Sequence, residues 1–137
     1  MANALYTLGK QGLLHGTFVL DSDTIKLALV SSSYTPNLAT HQFWSDVNSF
    51  VVGVPVAMGG ISITNGVFNS SAVTFSAVAS GSTVRYFAIY KDTGSAATSP
   101  LLVLIDTTTG VSLPFATNGG DITFTPDSGT NKIFKLT

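Results

Sequence analysis

The run Thr83-Val84-Arg85-Tyr86-Phe87-Ala88-Ile89-Tyr90-Lys91 decides the fold. Alternation puts Val84, Tyr86, Ala88 and Tyr90 on one face and Arg85, Phe87, Ile89 and Lys91 on the other. Side chains alternate across a strand, so both faces of this one are largely apolar, the pattern of a central strand buried on two sides. Further runs rich in β-branched and aromatic residues follow at residues 101–107, 122–125 and 132–136, with Gly, Pro, Asn, Asp, Ser and Thr filling the loops between them. The first residue types fit a pleated, half-buried surface and the second fit turns. The C-terminal half therefore reads as β-sheet.

The same reading extends towards the N-terminus. Residues 73–78 form another strand-like run, and residues 61–64 and 67–68 flank Asn65-Gly66, the pair best suited to a type I′ hairpin turn because both central residues need positive φ. Residues 50–58 are β-prone but contain Gly53 and Pro55. Proline lacks an N–H donor, which predicts an edge strand, a bulged strand or an extended connection there. Residues 24–31 alternate cleanly, with Ile25, Leu27 and Leu29 on one face, between the Asp21-Ser22-Asp23 turn and Ser31-Ser32-Ser33. The total of about eight strands with regular turn signals predicts one all-β domain over residues 1–137, an antiparallel sandwich or barrel of jelly-roll-like kind.

Two segments fall outside this pattern. Residues 1–15 carry Leu5, Leu8 and Leu13 at helix-compatible spacing, but Gly9 and Gly12 each cost about 1 kcal/mol inside a helix, so a short helix and an ordered arm are both open. In residues 34–47, Tyr34-Thr35-Pro36-Asn37 makes a turn, and residues 40–47 are compatible with one helical turn capped by Thr40. Apolar side chains outside the strands are the best candidates for contact with another chain. Leu5, Leu8, Leu13, Tyr34, Phe43 and Trp44 are therefore the candidate interface residues, although aromatic rings of this kind also serve as core.

Composition narrows the function classes. With 137 residues and 45% hydrophobic content the chain can bury a core without staples, and it has no cysteine to make one. Charged residues amount to only 9%, against roughly 25% in an ordinary domain, and every acidic residue is Asp. Such a surface suits a protein held against neighbours. A net charge of −1 with scattered Lys and Arg gives no basis for nucleic-acid binding. The sequence shows neither a membrane span nor a secretory leader, so synthesis in a host cytoplasm is expected.

Catalytic chemistry finds no motif. Gly-x-Ser-x-Gly, a phosphate-binding loop, His-Glu-x-x-His and a dinucleotide fingerprint are all missing, so no catalytic residue, cofactor or metal ligand is assigned and the chain is read as a non-enzyme. Asp21 and Asp23, with Asp121 and Asp127, have calcium-compatible chemistry, but Asp-x-Asp without the later Glu of a calcium loop reads as a turn cap. His41, between the Pro36 turn and Phe43-Trp44, reads as a packed or interface residue.

The wording of the loops carries one further signal. Tyr34-Thr35-Pro36-Asn37, His41-Gln42-Phe43, Tyr90-Lys91-Asp92-Thr93-Gly94, Thr98-Ser99-Pro100-Leu101, Ile105-Asp106-Thr107, Asn118-Gly119-Gly120-Asp121-Ile122-Thr123 and Asn131-Lys132-Ile133-Phe134 occur in this order and at these intervals. Together they resemble a family of small structural proteins of tailed bacteriophage virions, of the head decoration or cement type. The resemblance implies a virion protein on the head surface, homo-oligomeric and trimeric, with the major capsid protein as partner. The alternative it leaves open is a tail, neck or fibre-associated module, with or without receptor or carbohydrate binding.

Overall fold

The computed structural model describes residues 3–108, 112–126 and 132–135. Within them the regular structure is mostly antiparallel strand, with one short α-helix near the N-terminus. The main sheet has the order β1-β8-β7-β2-β3, formed by β1 (Ala4–Leu5), β2 (Ile25–Ser31), β3 (Val51–Ala57), β7 (Thr83–Lys91) and β8 (Leu101–Ile105), and β9 (Phe115–Ala116) pairs with the start of β7. Two small sheets complete the fold. One joins β4 (Ser62–Thr64), β5 (Val67–Asn69) and β11 (Phe134–Lys135), and the other joins β6 (Val73–Phe75) and β10 (Ile122–Phe124). Leu136, Asn131 and Asp127 lie outside the described residues.

β7 sits between β2 and β8, as its two apolar faces require. On one side Leu27, Leu29, Phe87, Ile89 and Ile105 pack against Phe68, Phe75 and Phe124 of the small sheets. On the other, Ala28, Val30, Ala88, Tyr90 and Leu104 are covered by Tyr6, Tyr34, Trp44 and Val47. Each fully buried Leu, Ile or Phe contributes about 1.5–3 kcal/mol of burial, so these two clusters supply the main driving force. Simple alternation fails at one point. Between the pairs Val30↔Tyr86 and Ser31↔Val84 the strand β7 carries one extra residue, Arg85, and Val84 turns to the Phe87 face.

The edges are managed locally. β3 is an edge strand, as Pro55 demands, and a bulge places three of its residues, Gly53, Val54 and Pro55, opposite the single Ala28. Asn65 and Gly66 take φ of 54° and 77° and close the β4–β5 hairpin.

The N-terminal segment is an anchored strand and helix and does not form a free arm. Ala4 and Leu5 pair with Leu104 and Val103, and Tyr6, fully buried, donates its backbone N–H to Leu102 O. α1 (Thr7–His15) then lies against the end of β8. Gly9 explains how. A Cβ there would stand 2.7 Å from Leu101 O and 3.0 Å from Leu102 O, so only glycine lets the helix approach the strand backbone this closely. The helical turn expected over residues 40–47 is shorter, a 3-10 turn at Trp44–Asp46, and Thr40 does not cap it. Asp46 reaches back instead and accepts the N–H groups of Gln42 at 2.9 Å and Phe43 at 3.1 Å.

Candidate interaction surfaces

The six candidate interface residues separate into three groups. Tyr34 and Trp44 are buried within the chain, at 2% and 7% exposure, and are corrected here to core residues. Their sequence surroundings lack strand periodicity, yet the 34–50 segment closes over the second face of the main sheet and carries both rings inward. Trp44 stacks on Tyr90 with centroids 4.3 Å apart and planes 5° from parallel. Leu5 and Leu13 are half-buried against the larger core. Leu8 and Phe43 are half-buried and line one groove at the surface.

That groove, about 340 Å³, runs between α1, residues 42–43 and the loop of residues 91–100. Its frame is tied by main-chain bonds: Trp44 N–H to Ser99 O at 2.7 Å, Ser45 N–H to Ala96 O at 3.0 Å and Leu101 N–H to Gln42 O at 2.8 Å. Gln11, His15 and Gln42 add polar side chains to the apolar Leu8 and Phe43. The Lys91 ammonium at its edge is already engaged, donating to Thr17 O at 2.8 Å and pairing with Asp23 at 3.4 Å. The groove is therefore preformed and close to neutral.

A second surface was not legible in the sequence. Leu13, Phe18, Val19, Ile63, Phe68 and Phe134 line an apolar pocket of about 320 Å³. Val19 and Ile63 are about half exposed, and Leu14, next to the lining Leu13, is 90% exposed. Adjacent helical residues point about 100° apart, so in the Leu13-Leu14 pair only one side chain can face the core. The doublet is the one signal that marked this face. Asp21 supplies the only charged side chain in the pocket's described lining.

Several acidic residues act as caps and ion-pair partners. Asp23 accepts the Val19 N–H at 2.6 Å and Asp121 accepts the Ala77 N–H at 2.8 Å, while Asp92 pairs with Lys26 at 2.8 Å. Among the described residues no group of three or more His, Cys, Asp or Glu side chains is placed to hold a metal ion. No helix among them is long and apolar enough to cross a membrane.

Burial works against ionisation of Asp46, but the Gln42 and Phe43 N–H groups and nearby His41 outweigh it and hold its carboxyl below the usual range. A lowered folded pKa means that this contribution is present above the unfolded carboxylate range and is lost as pH falls through the folded value. Asp46→Ala is expected to cost about 1 kcal/mol near neutrality, as for a lost cap. Thermal melts should show the gap to wild type closing in acid; an equal gap at every pH contradicts the capping role.

No protein-family model matches the chain, and no curated protein matches it significantly.

Proposed function

We propose that the protein is a structural component of a tailed-bacteriophage virion: a head decoration protein that binds the outer surface of the shell, as a homotrimer, and cements contacts between major capsid subunits. The observation that carries this reading is exposed apolar surface, Val19 and Ile63 at the apolar pocket and Leu14 on the adjoining helix, on a chain with few charged residues. Apolar side chains set on a rigid fold are what a protein needs if it works by burial against neighbours. The loop wording that resembles virion proteins supplies the virion context. A shell under internal pressure parts where its subunits meet, and a trimer bridging them adds area that must be exposed before they separate.

The reading is tested on particles. Shells lacking the protein should assemble with normal geometry but release DNA at lower temperature, and added protein should restore stability in proportion to occupancy. Leu14→Lys should leave the melting of the isolated protein within about 0.5 kcal/mol of wild type, since Leu14 supports nothing within the chain. The same variant should weaken self-association or particle binding, read by light scattering and by retention on shells. Equal particle stability with and without the protein, combined with failed adsorption to cells, contradicts cementing. That outcome favours the tail or fibre alternative, for which the neutral groove beside Phe43 offers a receptor or saccharide site.

A further inference from the structure

The hydroxyl of Tyr6, a fully buried residue, has as its one partner among the described residues the Tyr34 hydroxyl, 3.0 Å away. The Tyr34 hydroxyl in turn lies 2.6 Å from His41 Nδ1, and the Asn37 backbone N–H points at the same nitrogen from 3.3 Å. A hydroxyl has one proton to donate, and leaving it without an acceptor in the interior is costly. The chain therefore has a direction. Tyr6 O–H donates to Tyr34, Tyr34 O–H donates to His41 Nδ1, and the imidazole proton sits on Nε2. Two donors converging on Nδ1 require a lone pair there.

We propose that His41 is a proton-operated latch, which holds the loop of residues 34–42 closed when neutral and releases it when Nδ1 takes a proton. A proton on Nδ1 makes the ring a donor to Tyr34, so the Tyr34 proton loses its acceptor there. The Tyr6 and Tyr34 hydroxyl protons are then left with the single bond between them, one of the two is without an acceptor, and the Asn37 N–H faces another donor. The surrounding charged and titratable groups do not rescue this state. Tyr86, on β7, meets Tyr34 edge-on at 6.1 Å, and the Arg85 guanidinium over the Tyr86 ring adds positive charge. Asp46 attracts the imidazolium, but it is exposed, screened by water, and already accepts two backbone N–H groups. The unpaired hydroxyl sits in the dry interior, where its cost is undiminished.

Release reaches beyond the loop. Leu38 O accepts the Thr7 N–H at 2.9 Å at the start of α1, and Gln42 O accepts the Leu101 N–H at 2.8 Å. Opening residues 34–42 therefore frees the start of the helix and the face bearing Leu8 and Phe43. Protonation of the imidazole is the trigger, so the latch opens towards acid.

The test uses the full chain. Nitrogen NMR of the imidazoles at about pH 7.5 should show His41 as the Nε2–H tautomer, with His15 assigned separately by a His15→Gln variant. Amide exchange at Thr7 and Leu101, corrected for its intrinsic pH dependence, should accelerate at least about tenfold between about pH 7.5 and pH 5. Emission of Trp44, the single tryptophan, should change over the same interval. His41→Gln supplies an acceptor that does not titrate and should abolish both responses. An Nδ1–H tautomer at neutral pH, or the same pH response in His41→Gln as in wild type, overturns the proposal. Should His41→Gln fail to fold, the tautomer and the wild-type exchange rates decide the matter alone.

Discussion

Trp44→Ala is expected to lower the unfolding free energy of the isolated protein by about 3–5 kcal/mol, the range for deleting a large buried ring. Trp44 is 7% exposed, and its indole covers Tyr90 in a parallel stack on the second face of the main sheet. Its removal leaves a cavity between residues 43–47 and β7, where burial already raises the Tyr90 phenol to about 12. Domains are stable by only about 5–15 kcal/mol, so the variant approaches the limit of folding. Denaturant unfolding followed by circular dichroism measures the effect without the lost fluorophore. Phe43→Ala, half-buried beside the groove, should cost the fold much less. A Trp44→Ala loss below about 1 kcal/mol means that the ring is not core and restores it as an interface candidate.

Gly9→Val is expected to destabilise the protein by about 1–3 kcal/mol or more, the usual cost of forced overpacking. Helix propensity taken alone predicts the opposite sign, because valine is a better helix former than glycine. Geometry decides it. The new Cβ would lie inside contact distance of Leu101 O and Leu102 O, backbone atoms fixed in β8, so the whole helix has to shift and Tyr6 with it. Gly12→Ala is the milder companion, since its Cβ meets the Phe18 ring at 2.8 Å, a side chain and not the backbone of a strand. A rise in melting temperature for Gly9→Val contradicts the close packing of α1 on β8.

What could be read from residues alone was the part governed by local rules. The two apolar faces of residues 83–91 placed β7 at the centre of a sheet, Pro55 limited β3 to an edge, a bulge or an extended connection, of which it has the first two, and Asn65-Gly66 placed a hairpin. What could not be read depends on distant partners. Gly9 and Gly12 counted against a helix by propensity, yet they mark where that helix touches β8 and Phe18. The bulge at Arg85 moves Val84 to the opposite face, which alternation has no means to show. Two-residue strands such as β1 and β9 carry too few residues for any period to appear. Tyr34 and Trp44 looked like surface rings because they lie outside the strands, and their burial comes from a loop folding over a sheet far away in sequence. The pocket was hidden for the converse reason, since it is assembled from α1, residues 18–21, the β4–β5 hairpin and β11.

The proposed decoration of a phage head is tested most directly by the protein's stoichiometry in purified virions, counted by quantitative mass spectrometry against the major capsid protein. Decoration across the shell predicts a copy number of the same order as the capsid protein, with the protein lost first when particles are mildly heated. A protein present in a small fraction of that number, at the level of a tail or neck component, or one missing from the particle, contradicts the account.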